Sequence, residues 1–160
     1  VIAVQVIAVG RLKEAWMRDG CAEYVKRLGL WSRASVVEVD EYRLRENPSP
    51  AQIRVCVEKE GERILEKIPK GARVVAMCIE GKTLSSEGLA DYLALAAASG
   101  AGSLAFVIGG SHGLSDAVKD AASLRLSMSP MTFPHQLARV LLLEQLYRAF
   151  SINANAKYHK

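Results

Sequence analysis

Apolar residues in this chain follow two alternating rhythms. Apolar runs occur at Ile2–Val9, broken only by Gln5, at Arg73–Ile79 after its first residue, and at Leu104–Ile108. Such runs suit strands buried on both faces. Two shorter runs, Ser35–Val39 and Leu124–Met128, predict further strands. Between them the apolar spacing lengthens to a helical period. Trp16, Cys21, Tyr24, Val25 and Leu28 predict a helix from about Leu12 to Leu28, ended by Gly29. Ser49 and Pro50 suit the cap and first position of a second helix, Pro50 to Ile68. Further helices are expected from Ser85 or Ser86 to Ala98, from Ser115 to about Ala122, and from Pro134 to about Ile152. The segment Asp40–Pro50 is polar, holds two prolines and reads as an exposed, mobile loop. Asn153–Lys160 reads as a polar tail.

Strands alternating with helices imply an α/β fold: a mostly parallel sheet with helices on both faces, in a single domain over residues 1–160. Ligands in such sheets bind outside the carboxyl ends of the strands. Three segments fall there: Glu80–Leu84, Gly109–Leu114 and Met128–Phe133. On the last helix, Val140–Leu143 is apolar nearly all round. It must be covered on more than one side, either by the core or by a partner subunit.

Charge changes this picture little. The net charge of +4 is compatible with a nucleic-acid partner and does not require one. Glu58, Glu62 and Glu66 alternate with Lys59, Arg63 and Lys67, a pattern that is usually a solvated helix face. The three cysteines, Cys21, Cys56 and Cys78, are scattered and have neither zinc spacing nor a disulfide framework. With no leader or membrane span legible, a cytoplasmic protein is expected.

Candidate chemistry lies in four places. Phe106–Leu114 runs a buried strand into Gly109-Gly110, where backbone can approach a ligand closely; an ordinary tight turn competes equally. The spacing matches neither a dinucleotide fingerprint nor a P-loop. Leu126–His135 is a loop stiffened by Pro130 and Pro134, whose backbone groups can read a heterocycle edge; a plain connection competes. On the last helix His135 and Arg139 share a face, and Glu144 and Arg148 are spaced to pair. The tail Lys157-Tyr158-His159-Lys160 combines cations, a ring and an imidazole that could contact phosphate, stack on a base and handle a proton; a frayed terminus is the plain alternative. The three histidines lie in separate segments, so no metal is expected.

Several segments together resemble one family. They are Val9-Gly-Arg-Leu-Lys13, Glu58–Leu65, Gly81–Leu89, Phe106–Ser111, Met131–Gln136, Glu144–Phe150 and Tyr158-His-Lys160. In this order they are similar to the ribosomal RNA large subunit methyltransferase H family of the SPOUT superfamily, over essentially the whole chain. The resemblance implies a SPOUT fold with a trefoil knot near the C-terminus, and a homodimer with cofactor sites close to the subunit interface. It implies methylation of N3 of pseudouridine 1915 in 23S ribosomal RNA, on assembled ribosomes. It implies S-adenosylmethionine as methyl donor, held by Met77, Gly109 and the loop Met128, Ser129, Pro130, Met131, Thr132 and Phe133. Tyr158 and His159 become the catalytic candidates, to orient or deprotonate the target base. His135, Arg139, Lys157 and Lys160 become substrate contacts, with Arg11 and Lys13 as further phosphate ligands. Where many members carry Arg-Gly-Glu, this chain has Ala154-Asn155-Ala156. The competing readings are a knot methyltransferase of another RNA such as tRNA, a non-catalytic ribosome-binding module, and a plain structural homodimer.

Overall fold

The computed structural model describes residues 2–160. Five strands and five helices alternate along it. They are β1 (Ala3–Val9), α1 (Ala15–Leu28), β2 (Arg33–Val39), α2 (Pro50–Lys67), β3 (Arg73–Thr83), α3 (Ser86–Ala98), β4 (Ser103–Ile108), α4 (Asp116–Ala121), β5 (Leu124–Ser127) and α5 (His135–Asn153). The strands form one sheet in the order β2-β1-β4-β3-β5, parallel at every pairing.

The apolar runs have their expected cause. Along β1, Val4, Val6 and Ala8 enter the core on one face, while Ile7 and Val9 enter the core on the other. In β4, Leu104, Phe106 and Ile108 alternate with Ala105 and Val107 in the same way. Helices α1, α3 and α5 cover the first face, and α2 and α4 the second. The apolar stretch of α5 is covered in part within the protomer, with Val140 and Leu141 left partly exposed. Leu142, Leu143, Leu146 and Ala149 are buried, and α5 lies between α1 and α3.

Local chemistry sets the helix starts. Ser49 caps α2 with a reciprocal box: its hydroxyl accepts from the Gln52 N–H, and Gln52 Oε1 accepts from the Ser49 N–H at 2.8 Å. Ser85 and Ser115 cap α3 and α4 by accepting from the N–H three residues on. Helix α1 starts at Ala15 and not at Leu12. The carbonyls of Leu12 and Lys13 accept from the Arg18 guanidinium, and the Lys13 N–H donates to Gln136, so this stretch is bonded outside the helix.

Three further segments differ from the sequence expectation. Strand β2 begins two residues early, at Arg33. Strand β3 continues through Glu80–Thr83, read above as a loop: it pairs with β5 at Val75–Met77, breaks register, and pairs again at Lys82 and Thr83. A Cβ at Gly81 would lie 2.7 Å from the Arg125 carbonyl carbon, so the second contact needs a glycine there. The start of the Asp40–Pro50 loop is fastened, not loose. The Tyr42 N–H donates to Glu60 on α2, and Arg63 donates to the Asp40 carbonyl.

The tail is fastened as well. Helix α5 ends in a Schellman turn, with the Ala156 N–H on the Ser151 carbonyl and the Asn155 N–H on that of Ile152. Asn155 takes the left-handed conformation this turn demands (φ 56°). Asn155 is the middle residue of the departing triplet, and asparagine is one of the few side-chain-bearing residues that tolerate that conformation. The departure therefore keeps the turn that folds residues 156–160 back.

Candidate methyl-donor cleft and tail cluster

A cleft of about 710 Å³ opens at the carboxyl ends of β3, β4 and β5. These strands are neighbours in the sheet, so Met77 at the register break of β3 and Gly109 and Met128 just beyond the ends of β4 and β5 converge without long loops. Ser129, Met131, Thr132 and Phe133 complete one wall. Pro130 is exposed and stands outside the lining. The wall is held by its own polar groups: Ser127 donates to the Ser129 carbonyl, and the Met131 N–H donates to the Ser129 hydroxyl. The opposite wall is the glycine turn. A Cβ on Gly109 would lie 2.6 Å from the Gly113 backbone, so a side chain there would break the turn.

This shape fits a flat heterocycle with a thioether-like chain. Methionine and phenylalanine supply soft apolar surface, and unhindered backbone at the glycines and the proline-stiffened loop supplies polar edges. Sequence reasoning missed Cys78 and Lys119 in the lining, whereas Glu80 and His112 lie in the strand-end segments it picked out without a role for either. Lys119 and Glu80 pair at 2.5 Å across the rim, which holds the Glu80 carboxyl below its usual range. No short-range pattern links a residue on α4 with one on β3.

Of the substrate candidates on α5, only His135 reaches the cleft. Burial lowers its pKa, and the nearby Arg139 charge lowers it further, so the ring is neutral at pH 7. The expectation for Arg139 is corrected by its burial: it is 1% exposed. Its guanidinium bonds Glu38 on β2 at 2.5 Å and the Gly10 carbonyl after β1 at 3.0 Å. It clamps α5 to the ends of two strands and is out of a substrate's reach.

Tyr158 and His159 do not line the cleft. They pack with residues of α1, α3 and α5. The Tyr158 hydroxyl donates to Glu144 at 2.7 Å and lies 3.5 Å from the Tyr24 hydroxyl. Its ring stands edge-on to Tyr147, with the Arg148 guanidinium 4.9 Å from its centre. Burial, the Tyr24 hydroxyl and the Glu144 carboxylate together push the phenol far above its ordinary value. Tyr158 therefore keeps its proton at neutral pH and donates a hydrogen bond. His159 bridges Glu87 at 2.7 Å and Arg148 at 3.1 Å. Lys157 and Lys160 remain exposed beside them.

Glu144 is the hub that the spacing alone undersold. Its expected partner Arg148 lies at 2.7 Å, and it also accepts from Tyr158 and Gln145. Burial alone would raise its pKa, but these donors outweigh burial and hold it below the usual range. Glu144 also borders a second cavity, of about 390 Å³, which shares Met77, Met128 and Phe133 with the first. The tail cluster and the cleft thus meet through one common wall.

Comparison with known proteins agrees with this geometry. The family model described as predicted SPOUT methyltransferase matches residues 2–159. A protein named ribosomal RNA large subunit methyltransferase H from Carboxydothermus hydrogenoformans is 47% identical over 157 residues, covering 98% of this chain and 99% of its own. Its namesake from Pelotomaculum thermopropionicum is 49% identical over 156 residues, covering 98% of both. Among solved structures, a tRNA (m1G37) methyltransferase from Aquifex aeolicus shares the fold at a TM-score of 0.54 and 12% identity, over 91% of this chain and 69% of its own. A probable methyltransferase from Bordetella pertussis does so at 0.55 and 16%, over 92% and 96%. With the family matched from end to end and a cleft of the right form at the strand ends, this chain belongs to the SPOUT methyltransferase family.

Proposed function

We propose that this protein transfers a methyl group from S-adenosylmethionine to N3 of pseudouridine 1915 in large-subunit ribosomal RNA, as a cytoplasmic homodimer. The observation that carries the reading is near-half identity, across 98% of the chain, to proteins named for large-subunit ribosomal RNA methylation. The family's C-terminal knot belongs to the same proposal.

When bound, the donor supplies an electrophilic methyl group on a sulfonium. Met77, Gly109, Met128, Ser129, Met131, Thr132 and Phe133 would hold it, with Pro130 stiffening their loop. Their contribution is position: in-line placement of two bound reactants supplies roughly 7–11 kcal/mol. The acceptor nitrogen must lose a proton. Tyr158, held protonated, serves to orient the base by donating a hydrogen bond. His159 is the remaining candidate for the proton, and general-base help of this kind contributes on the order of 10²–10⁴-fold. Arg11, Lys13, Lys157 and Lys160 are exposed and suited to phosphate. His135, neutral at the cleft rim, meets substrate without adding charge.

The test is transfer of labelled methyl to ribosomes lacking the modification, with free ribosomal RNA and tRNA in parallel and the labelled nucleotide mapped. Label at the large-subunit pseudouridine is the expected result. Label on tRNA alone would move the substrate, and no label on any RNA would overturn the reading.

A further inference from the structure

Glu60 is buried on α2, 4% exposed, and lies outside the lining of the cleft. Among the described residues it forms no ion pair. A buried carboxylate without a cation is costly, so its place needs a structural reason. The surroundings supply one. Its Oε2 accepts the Tyr42 N–H at 2.9 Å. Its Oε1 sits 3.1 Å from where a Cβ of Gly110 would be, directly behind the glycine turn whose other side faces the cleft. Gly110 in turn pairs with Gly113 to close that turn.

The neighbours of Glu60 act on the same segments. The Cys56 thiol, one turn back, donates to the Tyr42 carbonyl at 3.4 Å. Burial and the Glu60 charge push that thiol up to about 11, so it keeps its proton. The next residue, Gly61, lets Ser115 approach: a Cβ there would lie 2.9 Å from Ser115 Cβ. Ser115 follows directly on the turn and caps α4. The pair Glu60-Gly61 therefore braces the turn at Gly110 and at its exit, and ties it to the loop after β2.

We infer that Glu60 is a positioning residue for the methyl-donor site, acting through Gly110 to hold the glycine turn in its binding shape. The inference rests on the reading of the cleft as the donor site. The expected behaviour follows from geometry. Glu60→Gln keeps an oxygen to accept the Tyr42 N–H and the same volume behind Gly110. Glu60→Ala removes both, so the turn can sag away from the cleft.

Calorimetric titration of the full chain with S-adenosylmethionine tests this, alongside thermal melting. Glu60→Ala is expected to weaken donor affinity on the order of tenfold or more, as small misplacements in a preorganised site do, with Glu60→Gln close to wild type. S-adenosylhomocysteine, which lacks the methyl and the sulfonium charge, should lose affinity by the same factor, because the cradle is what changes. Val4→Ala lowers the melting temperature from the opposite end of the sheet and should leave affinity intact. Equal affinity in Glu60→Ala and wild type would overturn the inference. So would a loss matched by Val4→Ala at equal melting temperature, or a loss confined to the charged donor. Wild-type protein that bound no donor would instead overturn the reading of the cleft, and this inference with it.

Discussion

At the scale of single residues, two side chains carry consequences that solution measurements can reach. His135 has its pKa held below the ordinary 6.5 by burial and by the Arg139 charge. The unfolded chain therefore binds a proton there more readily than the folded one. That contribution to stability is present above about pH 6.5 and is lost as pH falls below it. The expected result is a melting temperature that drops between pH 7 and pH 5.5, with a shallower drop in His135→Gln. An identical pH profile in the variant would contradict it. Asn155 is the second case. In the left-handed conformation a β-branched residue costs roughly 1–2 kcal/mol, whereas glycine costs nothing sterically. Asn155→Gly should keep the stability of the wild type, and Asn155→Val should lose about that much. Faster hydrogen exchange at the Ala156 N–H in the valine variant would show that the turn itself has opened.

At the scale of elements, the apolar runs were the most legible feature, because β1, β4 and the Val74–Ala76 part of β3 are buried on both faces and admit few polar residues. What was not legible shares one property: its partner is distant in sequence. Arg139 shares a helix face with His135 and suggested a substrate contact, yet its carboxylate partner, Glu38, is 101 residues away. The charged face of α2 read as solvated, and Glu60 in its middle was passed over because burial against Tyr42 and Gly110 has no local signature. The polar Glu80-Gly81-Lys82 looked like a loop because alternation was the only signal available, whereas the strand continues by touching β5 a second time. That contact predicts its own disruption. Gly81→Ala puts a methyl against the Arg125 carbonyl, and overpacking against backbone costs about 1–3 kcal/mol. A thermal shift of that size, with the Lys82 and Thr83 amides exchanging faster than those of Val74–Ala76, is the expected outcome. Uniform exchange along β3 would mean that the second pairing contributes nothing.

At the scale of the whole molecule, the open relation is between cleft and tail. Within one protomer Tyr158 and His159 lie on the α1, α3 and α5 face, bonded to Glu144 and Glu87, while the donor residues lie at the strand ends. In the proposed homodimer a second tail is available, and the two arrangements give different arithmetic. Consider a variant disabled in the cleft, Gly109→Ala, mixed in equal amounts with a variant disabled in the tail, Tyr158→Phe with His159→Ala. If each tail serves the cleft of its own chain, no dimer holds an intact pair and activity stays near background. If each tail serves the opposite cleft, every mixed dimer holds one intact pair. Random association then restores about a quarter of wild-type turnover, since half the dimers are mixed and each has one working site of two. Restoration is the expected result, because Tyr158 and His159 are absent from the lining of their own cleft. The mixture must first show a solution mass near twice the 17.4 kDa chain. A monomeric mass would remove the second tail altogether and leave the wall shared by the two cavities, which includes Met77, Met128 and Phe133, between tail and donor.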